Sequence, residues 1–284
     1  MPVRGSDRLC WITGAAGLIG HALLKSPHCP PGWQPRGVTR AEVDLRDFRA
    51  VTAAFQQERP GAVIHCAALS KSPACQADPA LAQLLNVAVT RHLATLAAGL
   101  PFIFFSTDLG FDGRQGNYVE TDPLNPLSYY AETKAAAEQI ILANPLHMVL
   151  RTSLNHGDSP TGDRAFNEET VRTWRSGRVT RLFTDEFRCP IPAVVTARAT
   201  WELLAAEVSG LFHLAGATRH SRWEIGQLLA ARHPEIPPLV LPTSLAEYRG
   251  APRSPDTSLN SARVQARLSF PLPDYAEWLA TQSR

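Results

Sequence analysis

The sequence predicts an α/β fold: a doubly wound parallel sheet in the N-terminal half, followed by a smaller C-terminal portion. Three observations predict it. Short apolar runs alternate with longer amphipathic ones over the first ~150 residues, which is the pattern of βαβ units. The apolar runs are nearly continuous, as strands covered on both faces require. A glycine-rich turn joins the first strand to the first helix.

The first strand is read at Arg8–Thr13 (RLCWIT) and the first helix at Gly17–Lys25. Arg36–Thr39 is a weak second strand. A helix follows at Asp47–Gln57, where Phe48, Val51 and Phe55 recur at spacings of three and four. Ala62–His65 and Phe102–Ser106 are the third and fourth strands, separated by one long helix over Leu81–Leu100. Tyr130–Ala143 is a helix, and Met148–Leu150 opens a fifth strand. The domain division is set at residues 1–154 and 155–284, with some later segments returning to the sheet. Beyond ~155 prolines punctuate the chain (Pro190, Pro192, Pro234, Pro237, Pro238, Pro242). Only Leu211–Leu214 reads as a strand there, and Ser221–Arg232 as a helix with a Ser221/Glu224 capping box. Arg249–Leu259 is read as irregular.

The 284 residues carry a net charge of +2 and are 44% apolar and 19% charged. No Lys/Arg run forms a patch, so nucleic-acid binding is not expected. No apolar stretch is long enough to span a membrane. Arg4 and Arg8 before an apolar stretch imitate a signal peptide, but Gly14, Gly17 and Gly20 interrupt it. The five cysteines are scattered and odd in number, which suits reduced thiols in a cytoplasmic protein. No metal-ligand spacing is visible, and His213 and His220 are isolated.

The chemistry begins at Thr13–Gly20, where the glycines fall as G-x-x-G-x-x-G. Gly14 permits a tight turn, Gly17 a close approach to pyrophosphate, and Gly20 helix–sheet packing. With Ala16, Leu18 and Ile19 this turn presents a helix N-terminus to an anion. These are the marks of a Rossmann dinucleotide site. Asp44 and Leu45 stand where an adenine would lie, Asp44 either accepting from its amino group or serving as an acid at the start of a helix. Cys66, Ala67 and Ala68, small residues after the third strand, let the backbone pass the adenosine half. No acid ends the second strand. Arg40 stands there instead, either as a solvated surface residue or as a grip on a 2′-phosphate, so NADP(H) is favoured and NAD(H) possible.

Tyr130 and Lys134 lie at i and i+4, on one helical face. A free phenol has a pKa of about 10, and a nearby ammonium favours its phenolate. Lys134 is therefore expected to lower the Tyr130 pKa and to hold the nicotinamide ribose. Thr107 ends the fourth strand, at the sheet edge where ligands bind, beside Asp108.

On these residues the chain resembles the extended short-chain dehydrogenase/reductases, and among them the dTDP-4-dehydrorhamnose reductases. The resemblance runs through Thr13–Gly20, Asp44–Asp47, His65–Ala68, Ser106–Asp108, Phe111–Gly113, Tyr118, Glu120, Tyr130–Lys134 and Leu150–Ser153, and reappears at Gly210–Gly216 and Ser221–Glu224. It implies that Thr107, Tyr130 and Lys134 are catalytic and that the enzyme reduces a keto group on a nucleotide-linked sugar. Thr107, Asp108, Arg151 and Arg188 are the candidate substrate contacts. A homodimer is a possible assembly. The sugar half departs from the family. Leu109-Gly110 replaces Tyr-Val, Leu154-Asn155-His156 replaces Trp-Val-Tyr, and Asp185–Pro190 is altered from Asp-Gln-x-Gly-x-Pro. Two alternatives stay open: an epimerase with tightly bound NAD, and a non-catalytic dinucleotide-binding subunit like the regulatory subunit of methionine adenosyltransferase. A dehydratase is disfavoured, because Leu109 stands where those enzymes carry Glu.

Overall fold

The computed structural model describes residues 8–237 and 239–282; Arg4 and Pro238 lie outside them. In chain order the elements begin β1 (Arg8–Thr13), α1 (Leu18–Lys25), β2 (Trp33–Val38), α2 (Phe48–Glu58) and β3 (Ala62–His65). They continue with α3 (Ser72–Ala77), α4 (Pro79–Gln83), a π-helical turn (Leu84–Ala88), α5 (Val89–Leu96), β4 (Phe102–Thr107), α6 (Tyr129–Leu142) and β5 (His147–Thr152). After these come β6 (Asn155–His156), α7 (Phe166–Arg175), β7 (Thr180–Phe183), β8 (Phe187–Arg188), β9 (Ile191–Pro192) and α8 (Ala193–Ala205). The chain ends with β10 (Gly210–Leu214), β11 (His220–Ser221), α9 (Arg222–Arg232), β12 (Val240–Thr243), α10 (Ala262–Gln265) and α11 (Tyr275–Thr281).

Six strands form one parallel sheet in the order β10-β5-β4-β3-β1-β2. The order reverses at β1, which has β3 on one side and β2 on the other. Such a switch point opens a crevice at the carboxyl ends of the strands. Alternation along each strand divides the core into two layers. Cys10, Ile12, Ile64, Ile103 and Leu150 pack on one face with Leu23 of α1 and Trp201 of α8. Trp11, Val63, Phe104 and Val149 pack on the other with Val51, Leu93 and Ile141. The doubly wound sheet read from the sequence is therefore present.

Three readings need correction. The long helix over Leu81–Leu100 is broken by the π turn at Leu84–Ala88. That turn carries buried Asn86, which accepts from Leu69 N at 2.8 Å and donates to Thr133 Oγ1 at 3.0 Å. A side chain committed to two other elements displaces the regular ladder. The second strand begins earlier than expected, at Trp33. Helices α7 and α8 went unread because the prolines around them resemble loop punctuation. α8 nonetheless packs on α1, and Trp201 Nε1 donates to Leu23 O at 3.1 Å.

The C-terminal portion has its own small core of Val171, Trp174, Ile225, Leu229 and Tyr275. Short strand pairs build its frame: β6 with β9, β8 with β11, and β7 with β12. Arg249–Leu259 is irregular apart from isolated bridges at Asp256 and Leu259. All five cysteines are free thiols. No helix among the described residues is long and apolar enough to cross a membrane.

Candidate active site

The turn after β1 is built as the glycines require. Gly14 has φ +69°, and a Cβ on it would lie 2.7 Å from Ala67 N and 2.8 Å from the Cys66 carbonyl carbon. Only glycine allows that contact between the β1 and β3 loops. Gly17 N donates to Gly14 O at 2.8 Å and closes the turn. Gly17 then caps α1 with no side-chain hydrogen bond, so the first amides of the helix remain available to an anion. Gly14, Ala16, Gly17, Leu18 and Ile19 thus share one edge of the crevice with Cys66, Ala67 and Ala68. Below them Thr13 Oγ1 meets His65 Nδ1 at 2.6 Å, and His65 Nε2 meets Thr90 Oγ1 at 3.1 Å. Burial pushes His65 down to about 3, which keeps the ring neutral beneath the loops.

At the adenosine end, Asp47 is the acid that caps α2, accepting from Arg49 N and Ala50 N. Asp44 is therefore not the helix cap. It is gripped by Arg46 (Nε to Oδ1, 3.0 Å) and lies 3.8 Å from Arg40 Nε. The Arg46 contacts hold its carboxyl down to about 2. Sequence reasoning missed Arg46, which puts a second guanidinium beside Arg40. Arg40 is itself largely exposed (75%), and among the described residues its ion pair is this one. Leu45 packs with the α2 face of the sheet.

Tyr130, Lys134 and Thr107 meet at the carboxyl edge of β4. Ser128 caps α6 by accepting from Ala131 N at 3.3 Å, which starts the helix with Tyr130 in its first turn. The Thr107 hydroxyl sits beside the Tyr130 phenol and acts on its pKa, while it donates to Asp108 Oδ1 at 3.3 Å and accepts from Leu109 N at 3.2 Å. Burial raises the phenol pKa, the Asp108 carboxylate raises it further, and the Thr107 hydroxyl opposes them. This corrects the expectation that Lys134 depresses it. Lys134 lies with Nζ 3.8 Å above the Phe104 ring, and burial lowers its pKa to about 7. A lysine that sheds its proton near neutrality lends little positive charge to a neighbouring phenol. Ser106 Oγ, buried beside Thr107, has no hydrogen-bond partner. An orphaned hydroxyl here and a glycine cradle opposite fit a dinucleotide lying across the crevice.

The substrate-side candidates are corrected. Arg151 is 4% exposed: its Nε and Nη2 bind buried Glu138 and its Nη1 meets His213 Nε2 at 3.3 Å. Arg188 is equally buried. Its Nη1 donates to Phe187 O and Ser254 O, its Nη2 pairs with Glu186 at 3.1 Å, and its Nε lies 3.7 Å from Asp108. Asp108 accepts from Ser153 Oγ at 2.8 Å, Thr257 Oγ1 at 3.1 Å and Thr107 Oγ1 at 3.3 Å. Burial raises its carboxyl pKa. Arg151, Arg188 and Asp108 spend their polar atoms inside the protein. They hold the loops around the crevice and do not reach into it. Their positions after strands resemble ligand-facing ones in sequence, and only packing reveals the difference.

A family model for the RmlD substrate binding domain matches residues 9–283. The probable low-salt glycan biosynthesis reductase Agl14 of Haloferax volcanii is 29% identical, over 95% of this chain and 95% of its own. The methionine adenosyltransferase 2 subunit beta of Xenopus laevis is 31% identical, over 79% of this chain and 72% of its own. Among solved structures, a dTDP-4-dehydrorhamnose reductase from Bacillus anthracis in complex with NADP superposes with a TM-score of 0.87. It is 22% identical, over 96% of this chain and 98% of that one.

Proposed function

The chain belongs to the RmlD substrate-binding-domain family, within the extended short-chain dehydrogenase/reductases, and from that premise we propose that it reduces a keto group on a nucleotide-linked sugar. It is an NAD(P)-dependent oxidoreductase, with NADP(H) favoured. The observation that carries the reading is that Thr107 and Tyr130 meet at the sheet edge, one helical turn from buried Lys134.

A bound nicotinamide supplies the hydride. Tyr130 then gives its phenolic proton to the carbonyl oxygen. A phenol whose pKa is raised stays protonated at neutral pH, which is the state a proton donor needs. Thr107 orients that phenol and shares the developing alkoxide. Lys134 holds the ribose side, and its near-neutral pKa lets it pass a proton toward Tyr130 between turnovers. The glycine turn seats the diphosphate of the cofactor. The cytoplasm and a homodimer complete the proposal, and light scattering of the purified protein tests the second.

The test is to incubate the protein with NADPH and dTDP-4-dehydrorhamnose and follow loss of the NADPH absorbance. Consumption with formation of the 4-hydroxy sugar supports the reading. NADPH that binds but is not consumed by this or other keto nucleotide sugars overturns it. That result would favour a non-catalytic dinucleotide-binding subunit, the reading to which the relatives among methionine adenosyltransferase beta subunits point.

A further inference from the structure

Where the C-terminal portion meets the end of β4, three arginines surround two buried acids. Glu186 pairs with Arg188 Nη2 at 3.1 Å and with Arg253 Nη2 at 2.9 Å. Asp108 is taken by Ser153, Thr257, Thr107 and Arg188. Both carboxylates are therefore spent, and Arg222 is the guanidinium left over. It opens α9, and its backbone amide donates to Glu186 O at 2.8 Å. Its guanidinium lies 5.6 Å from the centroid of the Phe166 ring. Among the described residues no acid or carbonyl is hydrogen-bonded to that guanidinium. Burial lowers its pKa, the Glu186 carboxylate opposes that, Arg188 and Arg253 add to the lowering, and Asp108 opposes it. An arginine nevertheless stays charged at neutral pH.

Glu186 and Asp108 offset the Arg222 charge only through space, and its half-buried guanidinium keeps its N–H donors unfilled, so an acceptor arriving from outside can take them. The surroundings are shaped to receive one. The Phe166 ring stands 6.0 Å from His156 and 6.5 Å from Tyr275, and His156 Nδ1 meets the Tyr275 hydroxyl at 2.7 Å. Burial holds His156 at about 4, so this wall is neutral at physiological pH and does not compete for the anion. The wall continues to the cofactor edge, because a Cβ on Gly157 would lie 3.2 Å from Leu18 of the glycine turn. Arg222 is linked to the reacting edge through Asp108, whose charge acts on it and whose Oδ1 accepts from Thr107.

We propose that Arg222 is the anion-recognising residue of the substrate cleft, gripping a phosphate or carboxylate of the ligand against the Phe166, His156 and Tyr275 wall. The inference rests on the nucleotide-sugar reading for the identity of the cleft. The planar guanidinium takes two oxygens at once.

The test is calorimetry on protein saturated with NADPH, using dTDP, thymidine, UDP-glucose and UDP-glucuronate as probes. It reads binding and not turnover. An enzyme that reduces no nucleotide sugar yet loses dTDP on substitution therefore keeps this proposal and sinks the reductase reading. If Arg222 reads the diphosphate, Arg222→Gln weakens dTDP and both UDP-sugars by roughly 10- to 150-fold and leaves thymidine unchanged. If it reads a carboxylate on the sugar, only UDP-glucuronate weakens. In either case Arg222→Lys recovers part of the loss, and NADPH affinity and the thermal midpoint stay at their wild-type values. The proposal is overturned if all four probes bind the Gln variant as they bind wild type. It is also overturned if thymidine weakens as much as dTDP, if NADPH weakens equally, or if the wild type binds none of the four.

Discussion

Arg151 Nη2 meets Glu138 Oε2 at 2.7 Å with both side chains buried, and this pair bolts α6 to β5 one helical turn beyond Lys134. The bolt fixes the helix that carries Tyr130 against the strand beside β4.

Removing one partner strands the other charge in the core. Glu138→Gln is expected to destabilise the protein by roughly 3–5 kcal/mol, whereas the double variant Glu138→Leu/Arg151→Met recovers most of that loss. Urea unfolding of the three proteins checks it. A double variant no more stable than the single one would show that the pair acts through something other than charge.

Tyr130→Phe keeps the ring and removes the proton donor. Turnover is expected to fall by about 10²-fold or more while NADPH affinity is unchanged. Because the phenol pKa is raised and not lowered, wild-type reduction shows no loss of the donor as pH rises from 7 to 9. A pH–rate profile for both proteins tests this. A basic limb within that window that vanishes in Tyr130→Phe would return the phenol to a depressed pKa.

Lys134 is placed for chemistry at the expense of stability. Its pKa falls from 10.5 in the unfolded chain to about 7 in the fold. Unfolding therefore takes up a proton between those values, and wild-type stability gained from this group rises with pH across that window. Lys134→Met is expected to abolish turnover yet raise the thermal midpoint of the cofactor-free protein. The gain is fully present below about pH 7 and shrinks as pH approaches 10.5. Melting curves at pH 6 and pH 9.5 decide it, and an equal gain at both would refute the assignment.

Arg40 and Arg46 flank Asp44 at the rim where a 2′-phosphate would sit. Arg40→Ala is expected to weaken NADPH by about 1.5 kcal/mol, the low end for a charged hydrogen bond because the site is exposed, and to leave NADH nearly unchanged. Fluorescence titrations at low and high salt measure this. Equal weakening of both cofactors would make Arg40 a general surface charge.

What the sequence by itself determined is what local pattern controls. Continuous apolar runs specify buried parallel strands, and the spacing of Gly14, Gly17 and Gly20 specifies a turn that only one backbone path satisfies. Tyr130 and Lys134 share a face because four residues make about one helical turn. Tertiary structure alone decided which charges are spent. Arg151 and Arg188 stand in sequence where a ligand-facing residue would stand, but Glu138 and Asp108 from other elements, and Glu186 two residues before Arg188, consume them. Arg222 lies in the Ser221–Glu224 run, but nothing local there distinguishes it from Arg151 or Arg188. It is set apart only when the fold brings Glu186 and Asp108 into direct contact with Arg188 and leaves them acting on Arg222 only through space. The sign of the Tyr130 shift was equally out of reach, since it depends first on how much water the phenol itself loses on burial and then on the Asp108 carboxylate beside it. Periodicity is a property of neighbours along the chain, whereas charge pairing and desolvation are properties of neighbours in space.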